Sequence, residues 1–189
     1  MSGLSSPRRT AAPPAGSFAL SGDLAEPSRL TVADLRERFE QHEAEVVFHC
    51  ATNGPQRHTF SGPLLREVIT GARPLFDPRR RKDRSRFMVS VTGGDGHHTV
   101  LSWGEIDSDF CDAPVLLATG MDGRDLDLAG SQLVAPWDRC GARYVSAISS
   151  VWVGAPPPFP ADDPEPLVRV GARAGSGGGS AGPYRRTAG

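Results

Sequence analysis

The apolar positions of this chain switch repeatedly between strand and helix spacing. Ser17 to Ser21 predicts a short strand. Val32, Leu35 and Phe39 then recur at i, i+3 and i+7 behind Thr31-Val32-Ala33-Asp34. That start resembles a capping box with aspartate as its third residue, and it predicts a helix from Thr31 to about Phe39. Val46-Val47-Phe48 is a β-branched and aromatic run that predicts a strand leading into His49-Cys50, with a polar loop after it. Gly62-Pro63 precedes Leu64 to Ile69, a second short helix closed by Gly71. Phe87, Val89 and Val91 mark one face of a strand; Gly93 to Gly96 turns the chain, and His97 to Leu101 returns as its hairpin partner. Ser102 to Ile106 fits one helical turn. Val115 to Thr119, Leu133 to Ala135 and Tyr144 to Val153 complete the strands, with Asp122-Gly123 as a hairpin turn. Six or seven strands and two short helices define an α+β fold of strand-rich mixed sheets. The helices are too few and too short for regular βαβ units.

Length and composition add boundaries to this pattern. The chain has 189 residues, which favours one domain. That domain is expected over 16–154, between a Ser/Pro/Ala-rich tail, 1–15, and a Pro/Gly-rich tail, 155–189, both expected to be disordered. A core of about 140 residues buries roughly two-thirds of its unfolded surface and needs no staples. Twenty-one basic residues nearly cancel 22 acidic ones, so net charge points to no nucleic acid. Three scattered cysteines, Cys50, Cys111 and Cys140, form neither a disulfide framework nor a Cys-x-x-Cys metal site. No apolar run approaches the ~20 residues that span a bilayer. Arg8-Arg9 is followed by a short, proline-broken stretch in place of an export signal's apolar segment, so the expected location is the cytoplasm.

Two places carry candidate chemistry. Cys50 ends an apolar strand where a loop begins, the usual position of a site. A thiolate there suits a soft metal or an electrophile, whereas the plain alternative is a buried structural cysteine. Arg139-Cys140-Gly141-Ala142-Arg143 sets two arginines around a tight turn, suited to an oxyanion or phosphate, or simply to solvated surface charge. His97-His98 lacks a third ligand at metal spacing. The basic run Arg79 to Arg86 has no interleaved aromatic residues to stack bases and reads as a charged connection. Trp103, Trp137 and Trp152 read as packing residues, Cys111 as incidental in an acidic loop, and Tyr144 as a neighbour of Arg143. Walker, Gly-x-Gly-x-x-Gly, Gly-x-Ser-x-Gly and His-Glu-x-x-His motifs are absent.

Taken in order, these segments resemble the molybdopterin-binding domain of sulfite-oxidase-type oxidoreductases. The resemblance runs from Phe18 to Val153. It is carried by Leu30 to Leu35, Cys50-Ala51-Thr52-Asn53, Phe60-Ser61-Gly62-Pro63-Leu64-Leu65, and Ala113 to Ala118 with Met121-Asp122-Gly123 and Leu126. Gly141-Ala142-Arg143-Tyr144-Val145 corresponds to the family's closing Gly-Ala-Arg strand. The resemblance implies a molybdenum cofactor, with Cys50 as the metal ligand and the catalytic centre. It implies that Asn53 lines the pterin pocket and that Arg143 helps to hold the anionic cofactor; His49, Arg57, His98 and Arg139 are further candidates by charge and proximity. The reaction implied is two-electron oxidoreduction with oxygen-atom transfer on a small-molecule substrate, with a separate electron-transfer partner. Gly54 stands where sulfite oxidases carry an arginine, and Ser146 where a cofactor-binding lysine is common. Those departures motivate the alternative of a non-catalytic pterin- or anion-binding module of the same fold.

Overall fold

The computed structural model describes residues 14–50, 54–80 and 82–156. In chain order its elements are β1 (Phe18–Gly22), β2 (Ser28–Leu30), α1 (Val32–Arg38), β3 (His42–Cys50), β4 (Gly54–Gly62), α2 (Leu65–Gly71), β5 (Met88–Gly93), β6 (His98–Ser102), α3 (Trp103–Ile106), β7 (Leu116–Ala118), β8 (Gly120–Met121), β9 (Arg124–Asp125), β10 (Gln132–Val134) and β11 (Ile148–Gly154). The expected strand-rich α+β class holds.

Local signals account for several of these elements. Thr31 caps α1 through a complete capping box: its hydroxyl accepts from the Asp34 amide, and the Asp34 carboxylate accepts from the Thr31 amide at 2.7 Å. Asp122 and Gly123 both take positive φ, 51° and 72°, between β8 and β9. An Asp-Gly pair does this at least cost, and the turn matches the twist of the strands it joins.

The first sheet has the order β2-β1-β11-β5-β6, with β1 parallel to β11 and every other pair antiparallel. One face carries Phe18, Leu20, Val89, Val91, Leu101, Val151 and Val153, packed in one cluster with Leu35 of α1 and Leu65, Val68 and Ile69 of α2. Burying each large apolar side chain in this layer stabilises the fold by roughly 1.5–3 kcal/mol. The strands close tightly at Gly22, where φ is +109° and an added Cβ would run into the Val153 carbonyl oxygen.

The second sheet has the order β3-β4-β8-β9 and lies beside the β10-β7 pair. Val46, Phe60, Leu64, Leu116, Ala118, Val134 and Tyr144 form its core with Val32 of α1. β3 and β4 pair along their whole length, from His42↔Gly62 to Cys50↔Gly54. β4 pairs with β8 only at Phe60 and Ser61. The Cys50 end of the hairpin therefore extends past the last registered β4–β8 pair.

Three expectations are corrected. The pattern predicts no strand between Cys50 and Leu64, yet β4 begins at Gly54 and forms the second arm of the hairpin. The tight turn expected at Gly141-Ala142 is present as a 3-10 turn, Gly141–Arg143, whereas the strand expected from Tyr144 starts only at Ile148, with Val145 making an isolated bridge to Leu133. The physical cause is Ala147, whose φ of 48° breaks the extended backbone. Trp137 and Trp152 are not core residues: they are 49% and 40% exposed, whereas Trp103 is buried. Of the expected tails, 1–15 and 155–189, all but residues 14, 15, 155 and 156 lie outside the described residues.

Candidate functional site

Cys50 is the last residue of β3, and its register partner is Gly54. Directly paired residues share one face of an antiparallel ladder, so Cys50 faces a cross-strand neighbour that has no side chain. Asn53 lies outside the described residues, and His49 is placed only as a register position opposite Pro55.

Arg57 pairs in register with Val47, one step out of phase with Cys50 and Gly54. Side chains alternate between faces along a strand, so Arg57 belongs to the opposite face. There its guanidinium donates to Glu45, and both side chains are more than half exposed. A second polar pair ties this hairpin to the turn between β8 and β9. His58 Nδ1 lies 2.7 Å from Asp122 Oδ2, and Asp122 also accepts from the Thr59 amide at 2.9 Å. These hydrogen bonds, His58 first and Thr59 next, keep the Asp122 carboxyl below its usual range.

The other candidate cation, Arg143, is already engaged. Its Nε and Nη2 donate to the two carboxylate oxygens of Asp138, each at 2.7 Å, and its Nη1 donates to Glu105 at 2.9 Å. The bonds to Asp138, and after them Glu105, hold the guanidinium above its already high range against the opposing pull of partial burial. Arg143 sits at the end of the 3-10 turn, and His97 clamps that turn through a ring nitrogen 3.0 Å from the Ala142 carbonyl oxygen. Next to it, buried Tyr144 donates to the Ala135 carbonyl at 2.8 Å, and burial, then the Asp138 charge, pushes its phenol up to about 12. Tyr144 thus helps to brace the wall that carries Arg143.

Arg143, Glu105, Cys111, Ala113 and Trp137 line a cleft of about 290 Å³. Sequence reasoning singled out Arg143 but set Cys111 and Trp137 aside and did not notice Glu105. The signal available was weak: Glu105 lies 38 positions before Arg143, and a side-chain hydrogen bond in the folded chain joins them. Arg139 and Cys140 are exposed beside the cleft. His98 is exposed at the start of β6, in the other sheet.

The basic run is largely paired. Arg79 and Arg80 lie against Asp77, Arg86 donates to Asp83 at 2.6 Å, and Arg84 bridges buried Asp107 and Asp109. Among the described residues, no group of three or more His, Cys, Asp or Glu side chains could hold a metal ion, and no helix is long and apolar enough to cross a membrane.

The sequence model named oxidoreductase molybdopterin binding domain matches residues 9–153. The chain belongs to that family. The fold agrees with the family. The crystal structure of the sulfane dehydrogenase SoxCD from Paracoccus pantotrophus superposes with a TM-score of 0.56 at 17% identity, over 73% of this chain. This chain spans 38% of the length of that one. No curated protein matches the sequence.

The donor chemistry tests how well the described residues suit the family's cofactor. A thiol-bearing residue at a strand end, opposite a glycine, suits the single protein ligand that such a metal needs. The Arg143 cleft does not suit the cofactor's anionic end. Its guanidinium is already engaged by Asp138 and Glu105 and offers a phosphate little uncompensated charge.

Proposed function

We propose that this chain is a molybdenum-cofactor oxidoreductase domain in which Cys50 supplies the protein thiolate to the metal. Family membership over residues 9–153 supports the cofactor. The observation that carries the assignment to Cys50 is its register opposite Gly54 at the end of the β3–β4 hairpin. When bound, the cofactor supplies two-electron redox and oxygen-atom transfer chemistry. This chain's own contribution is to anchor it at Cys50, with Asn53 and His49 as neighbours in sequence. The substrate in this reading is a small molecule, and electrons pass to a separate partner in the cytoplasm. Gly54 in place of an arginine argues against an oxyanion such as sulfite. Arg143 braces the wall of its own cleft through Asp138 and Glu105 and is not a clamp for the cofactor's phosphate.

The test is molybdenum content by elemental mass spectrometry on protein made in a host that synthesises the cofactor, with Cys50→Ser alongside. The expected result is stoichiometric metal in the wild type, absent from a variant whose circular dichroism is unchanged. Metal retained in the variant would remove Cys50 from the site. A metal-free wild type would favour the second reading, a non-catalytic binding module, whose supporting observation is the neutralised Arg143.

A further inference from the structure

We infer that this chain self-associates through β6: two copies pair their β6 strands antiparallel about Val100, and their five-stranded sheets join into one.

The hydrogen-bond phase of the β5–β6 ladder leaves an open edge. β6 is the last strand of its sheet. The Gly93 amide donates to the His97 carbonyl and the Trp103 amide to the Phe87 carbonyl, each at 2.8 Å. These bonds flank the ladder and fix its alternation. Val91–Thr99 and Val89–Leu101 are hydrogen-bonded pairs, whereas Thr92–His98, Ser90–Val100 and Met88–Ser102 are not. The backbone N–H and C=O groups of His98, Val100 and Ser102 therefore point away from β5, and no hydrogen bond among the described residues uses them. All three residues are exposed.

The other edges are blunted. β2 has three residues, carries Arg29 and follows Pro27. β3 carries exposed Glu43 and Glu45, and β9 is only Arg124–Asp125. β7 and β10 are met by the bridges Leu64↔Leu116 and Leu133↔Val145. Charge, proline and brevity are the means by which proteins keep edge strands from pairing. β6 uses none of them: no Lys, Arg, Asp, Glu or Pro stands between Gly96 and Gly104.

A second copy is the occupant that these residues match. With Val100 on a two-fold axis, His98 stands opposite the partner's Ser102, and Val100 opposite the partner's Val100. Each such pair exchanges two bonds, so every open donor and acceptor on both edges is used. A slip of two residues either way strands His98 or Ser102. No like charges meet across the axis. The side chains agree with the backbone. Trp152, Ser90 and Val100 form one cross-strand row on the exposed face, and Trp152 and Val100 are each 40% exposed. Pairing sets Val100 against Val100 and makes that row continuous across both copies.

The test is sedimentation velocity on the full chain from low to high micromolar concentration. A reversible monomer–dimer equilibrium is expected. Val100→Lys sets two ammonium groups opposite each other at an exposed position and should weaken association roughly tenfold or more. Val100→Pro removes only an amide that β5 does not use, so it should also weaken the dimer while the chain still folds. Val100→Thr, β-branched and uncharged, should keep the dimer. Oxidised Val100→Cys should give a covalent dimer linked between the two substituted positions, because hydrogen-bonded antiparallel partners lie about 5.5 Å apart, within disulfide reach. A wild type that stays monomeric over that range would overturn the inference, and so would a dimer that Val100→Lys leaves intact. Neither result bears on molybdenum or on Cys50.

Discussion

Replacing Arg143 with alanine separates a cofactor clamp from a structural brace. The wild-type guanidinium makes a two-pronged contact with Asp138 and a third bond to Glu105. The arginine side chain is 34% exposed, Asp138 14% and Glu105 40%. Exposed ion pairs contribute about 0.2–1 kcal/mol. Breaking a buried pair costs about 3–5 kcal/mol, because the partner is left charged and dry. Arg143 lies between those limits: Asp138 would be stranded in a mostly buried place, whereas Glu105 would turn to solvent. The expected loss is about 2 kcal/mol. The assay is urea unfolding followed by circular dichroism. With a slope of about 2 kcal/mol per molar, the midpoint should fall by about 1 M with the slope unchanged. Asp138→Ala should cost a similar amount, and the double variant much less than the sum, since both remove the same contact. A midpoint shift below about 0.3 M would refute the reasoning, since that is the range of a solvated pair. Full stability combined with lost molybdenum would instead make Arg143 a cofactor ligand.

Two further outcomes concern the scaffold. Thr31→Ala should destabilise the domain by about 1 kcal/mol through loss of the α1 cap. Its bonds to Thr31 hold the Asp34 carboxyl below its ordinary range, so this contribution is complete above the unfolded carboxyl pKa of about 4 and fades as pH falls through the lower folded value. Chemical denaturation between pH 7 and 2.5 should show the wild-type advantage over Thr31→Ala shrinking on acidification, and an advantage that grows would contradict this. Gly22→Ala should be among the most damaging single-methyl additions, because the residue has φ +109° and the Val153 carbonyl oxygen occupies the space. The check is a thermal melt, and a melting temperature within a degree of wild type would mean that β1 and β11 part more easily than their register implies.

The sequence by itself determined what depends on neighbours a few residues apart. Thr31 and Asp34 spell a helix start because a capping box spans one turn. Gly96 and Asp122-Gly123 spell turns because few other residues tolerate their positive φ. Alternating Phe87, Val89 and Val91 spell a buried strand face, and the ordered set of segments around Cys50 and Gly141-Ala142-Arg143 was enough to place the chain in its family. Tertiary structure decided the rest. β4 is polar and proline-bearing, with little strand signal in Pro55-Gln56-Arg57-His58, and it exists because β3 offers it a full ladder. Tyr144 to Val153 reads as one strand, yet Ala147 turns the backbone and regular pairing begins only at Ile148. Arg143 reads as a free anion ligand until folding brings Glu105 and Asp138 onto it. Spacing along the chain cannot report a charge that arrives from another element, as Glu105 arrives on Arg143 from α3.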